Sequence, residues 1–201
     1  MIITFYGQSC IKLQAGDTII GVNPFSTSKT LKTPKFGADI ALANRYDEDF
    51  ANFDALTYGE KEPRAIYGPG SYEVDGIHID GYGVEDPSEG FLTAYRFIFD
   101  GMRIVLLGSM YDKATMPPEL LEAIADADVM FVDCTQPNIY TTASSFSPKL
   151  IIPVGFEAEK DIHLKEFLAD IPKDKQEIKD KLTIKPKDIA AWQSHVVVVK
   201  P

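Results

Sequence analysis

Short β-branched or alternating apolar runs, separated by turn residues, dominate the first half of the chain. Ile2 to Tyr6, Cys10 to Gln14 and Thr18 to Val22 are divided by Gly7-Gln8-Ser9 and Ala15-Gly16-Asp17. That pattern predicts a three-stranded meander ending at Asn23-Pro24. Asp39 to Ala43 is a further apolar run of the buried-strand type, and polar Asn44 to Phe50 follows it at a predicted strand-to-helix junction. Gly68-Pro69-Gly70 opens a hairpin-like pair, Ser71 to Asp75 and Ile77 to Tyr82, broken at Asp75-Gly76. A second hairpin, Phe91 to Phe99 with Met102 to Leu107, turns at Asp100-Gly101.

The second half mixes helices with buried strands. Pro117-Pro118-Glu119 starts a helix that runs to about Ala125, since Pro suits the first turn and Glu complements the dipole. Val129 to Val132 and Leu150 to Val154 predict buried strands, with a polar segment of weak helical signal, Thr135 to Ser147, between them. His163 to Asp170 and Lys173 to Lys181 predict surface helices, and Val196 to Val199 a closing strand. No repeat or linker-like stretch interrupts residues 1–201, which read as one domain of two packed sheets with helices outside.

Composition narrows the function classes. With 45% hydrophobic and 25% charged residues the chain is of the folded globular type. Twenty basic against thirty acidic residues give a net charge of −10, which argues against a nucleic-acid partner. Cys10 and Cys134 are too few for a disulfide framework, so a reducing, cytoplasmic setting is expected. Apolar runs such as Val196 to Val199 fall far short of the roughly 20 residues of a membrane span. No membrane partner is expected, and Met1 to Tyr6 lacks the features of a signal peptide.

Several segments, taken in order, resemble the metallo-β-lactamase superfamily, in its small hydrolase-like branch that includes the L-ascorbate-6-phosphate lactonases. They are Gly7-Gln8-Ser9-Cys10, Val22-Asn23-Pro24-Phe25, Gly68 to Gly76, Arg103 to Gly108 and Lys149 to Val154. The resemblance implies an α/β, four-layer αββα sandwich. It also implies one or two zinc ions held by a His-x-His-x-Asp-His motif and three later ligands. Here the motif falls on Arg45, Tyr46, Asp47, Glu48, Asp49 and Phe50, so only its Asp, at Asp49, keeps the family's residue. The next ligand falls near Asp86 or Glu85, the bridging Asp on Ser109 and the final His on Gly155. The chain's three histidines, His78, His163 and His195, lie elsewhere and read as ordinary sheet-face or surface residues.

Asp47, Asp49 and Asp86, with Glu85 or Glu48 nearby, offer a carboxylate set suited to a hard cation such as Mg²⁺ or Mn²⁺ rather than zinc. Arg45 opposes that use, because its guanidinium pairs with Asp47 or Asp49 and neutralises the pocket without an ion. Ser109 lacks an evident base and reads as a turn residue. Tyr46, Phe50, Phe53, Tyr58, Tyr67, Tyr72 and Tyr82 read mostly as core, some of them lining the pocket. The segment from Val132 to Pro148 is short for the family and predicts a shrunken helix.

The leading expectation is a zinc-free, non-catalytic protein without a cofactor. Its reshaped pocket, drawn from Arg45, Tyr46, Asp47, Asp49, Phe50, Asp86, Ser109 and Gly155, would bind a small ligand or a partner. One alternative is a metal-dependent hydrolase of a small phosphoester, lactone or β-lactam, with Mg or Mn at Asp47, Asp49 and Asp86. Another is a structural, oligomerising protein. The resemblance also implies a homo-oligomer.

Overall fold

The computed structural model describes residues 1–27, 30–47, 50–86, 90–169 and 171–201, apart from the side chain of Asp86. The meander forms as expected, with β1 (Ile2–Phe5), β2 (Ile11–Ala15) and β3 (Thr18–Val22) antiparallel to one another. β4 (Ile40–Ala43) then adds parallel to β3, and β5 (Arg64–Tyr67) parallel to β4. The helix expected after Asn44 reduces to one 3₁₀ turn at Phe53–Leu56.

The second sheet begins with two hairpins, β6 (Gly70–Val74) with β7 (Ile77–Asp86) and β8 (Gly90–Phe99) with β9 (Met102–Gly108). Asp75-Gly76 and Asp100-Gly101 both turn with positive φ at each residue, matching the right-handed twist of the strands they join. β10 (Val129–Asp133) and β11 (Leu150–Val154) continue parallel to β9, reached through α1 (Pro118–Ala123) and α2 (Ile139–Ser144). The short α2 fits the contracted segment read from sequence.

After α3 (Ile162–Ala169) the chain departs from expectation. Lys173 to Lys181 is not a helix: one 3₁₀ turn leads into β12 (Gln176–Lys179), an edge strand parallel to β14 (His195–Val199). Its polar, half-exposed residues suit an edge, where one side of the backbone ladder faces solvent. Before β14, β13 (Leu182–Thr183) crosses to the other sheet and pairs with β1. β14 is inner, between β11 and β12, and its valines are buried on both faces as in parallel sheets covered on both sides.

The sheets run β13-β1-β2-β3-β4-β5 and β12-β14-β11-β10-β9-β8-β7-β6. Their facing sides share one core, in which Ile3, Leu13, Ile20, Ile40 and Leu42 of the first sheet join Tyr95, Phe97, Ile104, Phe131 and Ile152 of the second. The helices add Leu120, Ile139, Leu164 and Phe167 to that core. Successive strand residues point to opposite faces, so Ala41, between Ile40 and Leu42, packs outward with Phe36, Ala38 and Leu56 in a smaller outer cluster. Helix, sheet, sheet and a thin outer layer make the four layers of an αββα sandwich. Among the described residues no helix is long and apolar enough to cross a membrane.

Candidate functional site

β3 and β4 in one sheet and β9, β10 and β11 in the other run parallel within their groups, so their carboxyl ends gather at one edge of the sandwich. Ligand sites in open α/β sheets lie outside such ends. The residues just past them are Asn23, Asn44, Ser109, Cys134 and Gly155.

Two polar pairs and one aromatic ring fill this edge. Asn23 and Asn44, both buried, form a reciprocal pair: Asn44 N–H donates to Asn23 Oδ1 at 2.8 Å and Asn23 Nδ2 to Asn44 Oδ1 at 2.8 Å. Asn44 Nδ2 then reaches the second sheet, donating to the Thr93 carbonyl at 2.6 Å and the Leu106 carbonyl at 3.4 Å. Opposite it, the buried Asp133 carboxylate accepts from Ser109 Oγ at 3.0 Å, Thr135 N–H at 3.0 Å and Thr135 Oγ1 at 2.7 Å. Phe50 lines the space between these pairs with Ser9, Ile11, Leu106, Gly108, Phe131 and Val154, and only about 10 Å³ stays open. That volume holds one water molecule at most.

The described site residues separate into three groups. Arg45 pairs with Asp47 through Nε, as the sequence suggested, and its guanidinium also lies 4.4 Å from the Phe50 ring centroid. The pair therefore roofs the ring that lines the closed space. Ser109 and Gly155 lie on the far side. Gly155 has φ +89°, and a Cβ there would overlap the Asp133 carboxylate, so neither space nor backbone admits a larger side chain. Tyr46 instead faces outward, stacked on Tyr67 at 4.4 Å. Asp49 lies outside the described residues, as does Glu48. Asp86 ends β7 opposite Gly90, and its side chain is likewise not described.

The histidines lie elsewhere. His78 stands on the exposed face of β7, 3.2 Å from Ser71 Oγ and 3.0 Å from Asp80 Oδ1. His163 faces Glu166 at 3.9 Å on α3, and His195 stacks on Trp192 at 4.4 Å. Among the described residues no three His, Cys, Asp or Glu side chains gather as a metal-binding group.

Two features escaped the sequence. Tyr95, fully buried, donates its hydroxyl to the Ala43 carbonyl at 2.9 Å and accepts from Gly68 N–H at 2.9 Å, tying the end of β4 to the turn before β6. Burial is the main cause that pushes its hydroxyl pKa up to about 12. Alternating residues of β8 show that this position faces the core, yet nothing local marks a cross-sheet clamp. Asn23 and Asn44 are the second feature, and the signal for them was a polar residue directly after each of two buried apolar strands. The aromatic reading needs correction: none of the seven first-half aromatics singled out is fully buried, and Tyr46, Tyr58 and Tyr67 are exposed. Most lie on loops, in the 3₁₀ turn or on the edge strands β5 and β6, where only one side can be covered, and Tyr82 is half-buried on β7. Both cysteines are buried and unpaired, and burial pushes their thiol pKa values up, Cys134 being raised further by the Asp133 and Asp161 carboxylates.

Two sheets in four layers, with a polar cluster where their strand ends meet, define the metallo-β-lactamase type of fold. The chain belongs to the family of the beta-lactamase superfamily domain, whose profile matches residues 2–155. Solved structures agree. A candidate Zn-dependent hydrolase of the metallo-β-lactamase superfamily from Thermotoga maritima is similar with a TM-score of 0.75 at 22% identity, over 98% of this chain and 97% of that one. An isothiocyanate hydrolase from Delia radicum gut bacteria gives 0.60 at 11% identity, over 98% and 96%. A metallo hydrolase from the archaeon Ignicoccus hospitalis gives 0.58 at 14%, over 100% and 95%. At these identities the likeness is one of fold. Curated proteins gave no match.

Proposed function

We propose that this chain is a non-catalytic, zinc-free member of the hydrolase-like family, serving as a binding protein for a small ligand or partner. The observation that carries the reading is the filled strand-end site, where Phe50 and two internally satisfied polar pairs leave about 10 Å³. A catalytic zinc needs three protein ligands and an open fourth position for water. Among the described residues lining this space the one carboxylate is Asp133, which already accepts three hydrogen bonds. Asn23 and Asn44 spend their side-chain amides on each other and on the Thr93 and Leu106 carbonyls, and Gly155 offers no side chain. This described donor set does not fit zinc. Two unpaired cysteines favour a cytoplasmic setting.

Elemental analysis of tag-free protein purified without chelator, before and after soaking in Zn²⁺, Mn²⁺ and Mg²⁺, tests the reading. Well under one equivalent throughout, with background turnover of an ester, lactone and β-lactam panel, is the expected result. One or two equivalents retained through dialysis, with metal-dependent turnover, would overturn it and return attention to Asp47 and Asp49.

A further inference from the structure

The edge that is closed inside is open outside. Eight large hydrophobic side chains are exposed among the described residues, and three of them, Tyr46 at 69%, Tyr67 at 50% and Phe91 at 53%, line one recess. Its volume is about 180 Å³, and Asn44, Arg45, Gly68 and Thr93 are among its other lining residues. Tyr46 and Tyr67 already stack at 4.4 Å and 28°, and Phe53 extends the row behind Tyr67 at 5.9 Å. Tyr46 also borders a second recess with Ser26, Asp47 and Asn52.

The chemistry of the lining restricts the ligand. Asn44 Nδ2 and the Thr93 carbonyl bond to each other, as do Thr93 N–H and the Asn44 carbonyl. Gly68 N–H is held by Tyr95, and the Gly68 carbonyl accepts from Tyr72 at 3.1 Å. Arg45, the one charged residue among the described lining residues, is paired with Asp47. These backbone and amide groups of the described lining are thus spent, which leaves recognition to the aromatic faces of Tyr46, Tyr67 and Phe91, with the two tyrosine hydroxyls at the ring ends. Rings prefer offset or edge contacts with such faces. The volume is below the roughly 300–1,000 Å³ of sites for drug-sized ligands, so one small ring system fills it.

We infer that this recess binds an uncharged planar aromatic compound of one or two fused rings, adding to the Tyr46–Tyr67 stack and flanked by Phe91. The inference deepens the binding-protein reading above and rests on it, since it supplies the class of ligand for a protein whose strand-end site is filled.

Amide chemical-shift titration of the full chain with indole tests it, with cyclohexanol as a non-planar apolar control. Indole is expected to shift residues 43–46, 67–68 and 91–93 saturably with a Kd of about 1 mM, and cyclohexanol to leave them unmoved. Tyr46→Ala is expected to weaken indole about tenfold and Tyr46→Phe to restore it, because the ring and not the hydroxyl makes the contact. Phe91→Ala, also at an exposed position, is expected to weaken it as well. The inference is overturned by an absence of saturable shifts up to about 10 mM, by an equal response to cyclohexanol, by shifts confined to the separate cleft between α2 and α3 lined by Tyr140, His163 and Phe167, or by unaltered binding in Tyr46→Ala. It is also overturned if indole fails to bind and Tyr46→Ala converts a dimer to a monomer, which would make the patch a self-association surface. Metal content separates the two proposals: bound zinc with indole at the recess overturns only the zinc-free reading, whereas metal-free protein that ignores indole overturns only the ligand class.

Discussion

Replacing Tyr95 by Phe removes one oxygen and leaves the ring in the core. The Ala43 carbonyl loses its donor and Gly68 N–H loses its acceptor, each from a 2.9 Å hydrogen bond. An orphaned buried polar group costs about 1–3 kcal/mol. Ala43 is buried, whereas Gly68 is partly exposed and can turn to water, so the expected loss is about 2–3 kcal/mol near neutral pH. The hydroxyl also has a pH signature. Its pKa rises from 10.0 to about 12 on folding, so the folded state favours the protonated form. That contribution is complete below the unfolded value and is lost as pH climbs through the folded one. Two units amount to about 2.7 kcal/mol, all lost above about pH 12. Urea unfolding followed by circular dichroism at about pH 8 and about pH 11 reads both terms. The wild type should exceed Tyr95→Phe by about 2–3 kcal/mol at the lower pH, and the gap should narrow by about 1.4 kcal/mol at the higher one. Other tyrosines titrate in both proteins and cancel. A gap below about 0.5 kcal/mol, or one that stays constant with pH, would refute the clamp.

Three further outcomes follow from the same geometry. Phe50→Ala empties a half-buried ring site and removes the face beneath Arg45; the expected cost is about 2 kcal/mol in urea unfolding, below the range for a fully buried Phe. Cys10 and Cys134 should resist a thiol reagent such as DTNB while the protein is folded and react fully in denaturant, since both are buried with raised pKa values. Glu177 has its carboxyl pKa held below the ordinary value, first by the Lys179 ammonium at 2.8 Å. Its contribution is present above the ordinary carboxylate range and disappears as pH falls through the lowered value. Lys179→Met should flatten the acid side of the melting curve slightly, because the pair is largely exposed.

The sandwich was readable because its strands carry their own punctuation. The meander, both Asp-Gly hairpins and the buried β10 and β11 runs are bounded by turn residues whose backbone preferences are local. β5 and β12 were missed for the opposite reason. Arg64 to Tyr67 and Gln176 to Lys179 are edge strands whose exposed residues alternate too weakly to announce a period, and their place is set by β4 and β14 far along the chain. At the site, the Arg45–Asp47 pair could be anticipated because the residues are two apart. The Asn23–Asn44 and Ser109–Asp133 pairs could not, being 21 and 24 positions apart and meeting only once the sheets assemble. Tyr46 was legible as a pocket candidate, but the side of the strand end that it faces was not, since an aromatic in a loop after a strand reads alike whether it points inward or out.

Gly155 bears on how this scaffold can be altered. An imidazole there meets two obstacles at once: the Asp133 carboxylate occupies the volume of its Cβ, and the backbone sits at φ +89°. Clearing the first by truncating Asp133 strands the Ser109 and Thr135 donors, and the second persists regardless. The two changes are thus coupled: neither is tolerated alone, and the backbone at 155 must still be remodelled when both are made. A library of single substitutions would find no downhill route toward a histidine at this corner, and a designer grafting a metal onto the fold would have to rebuild the 108–109, 133–135 and 155 segments together.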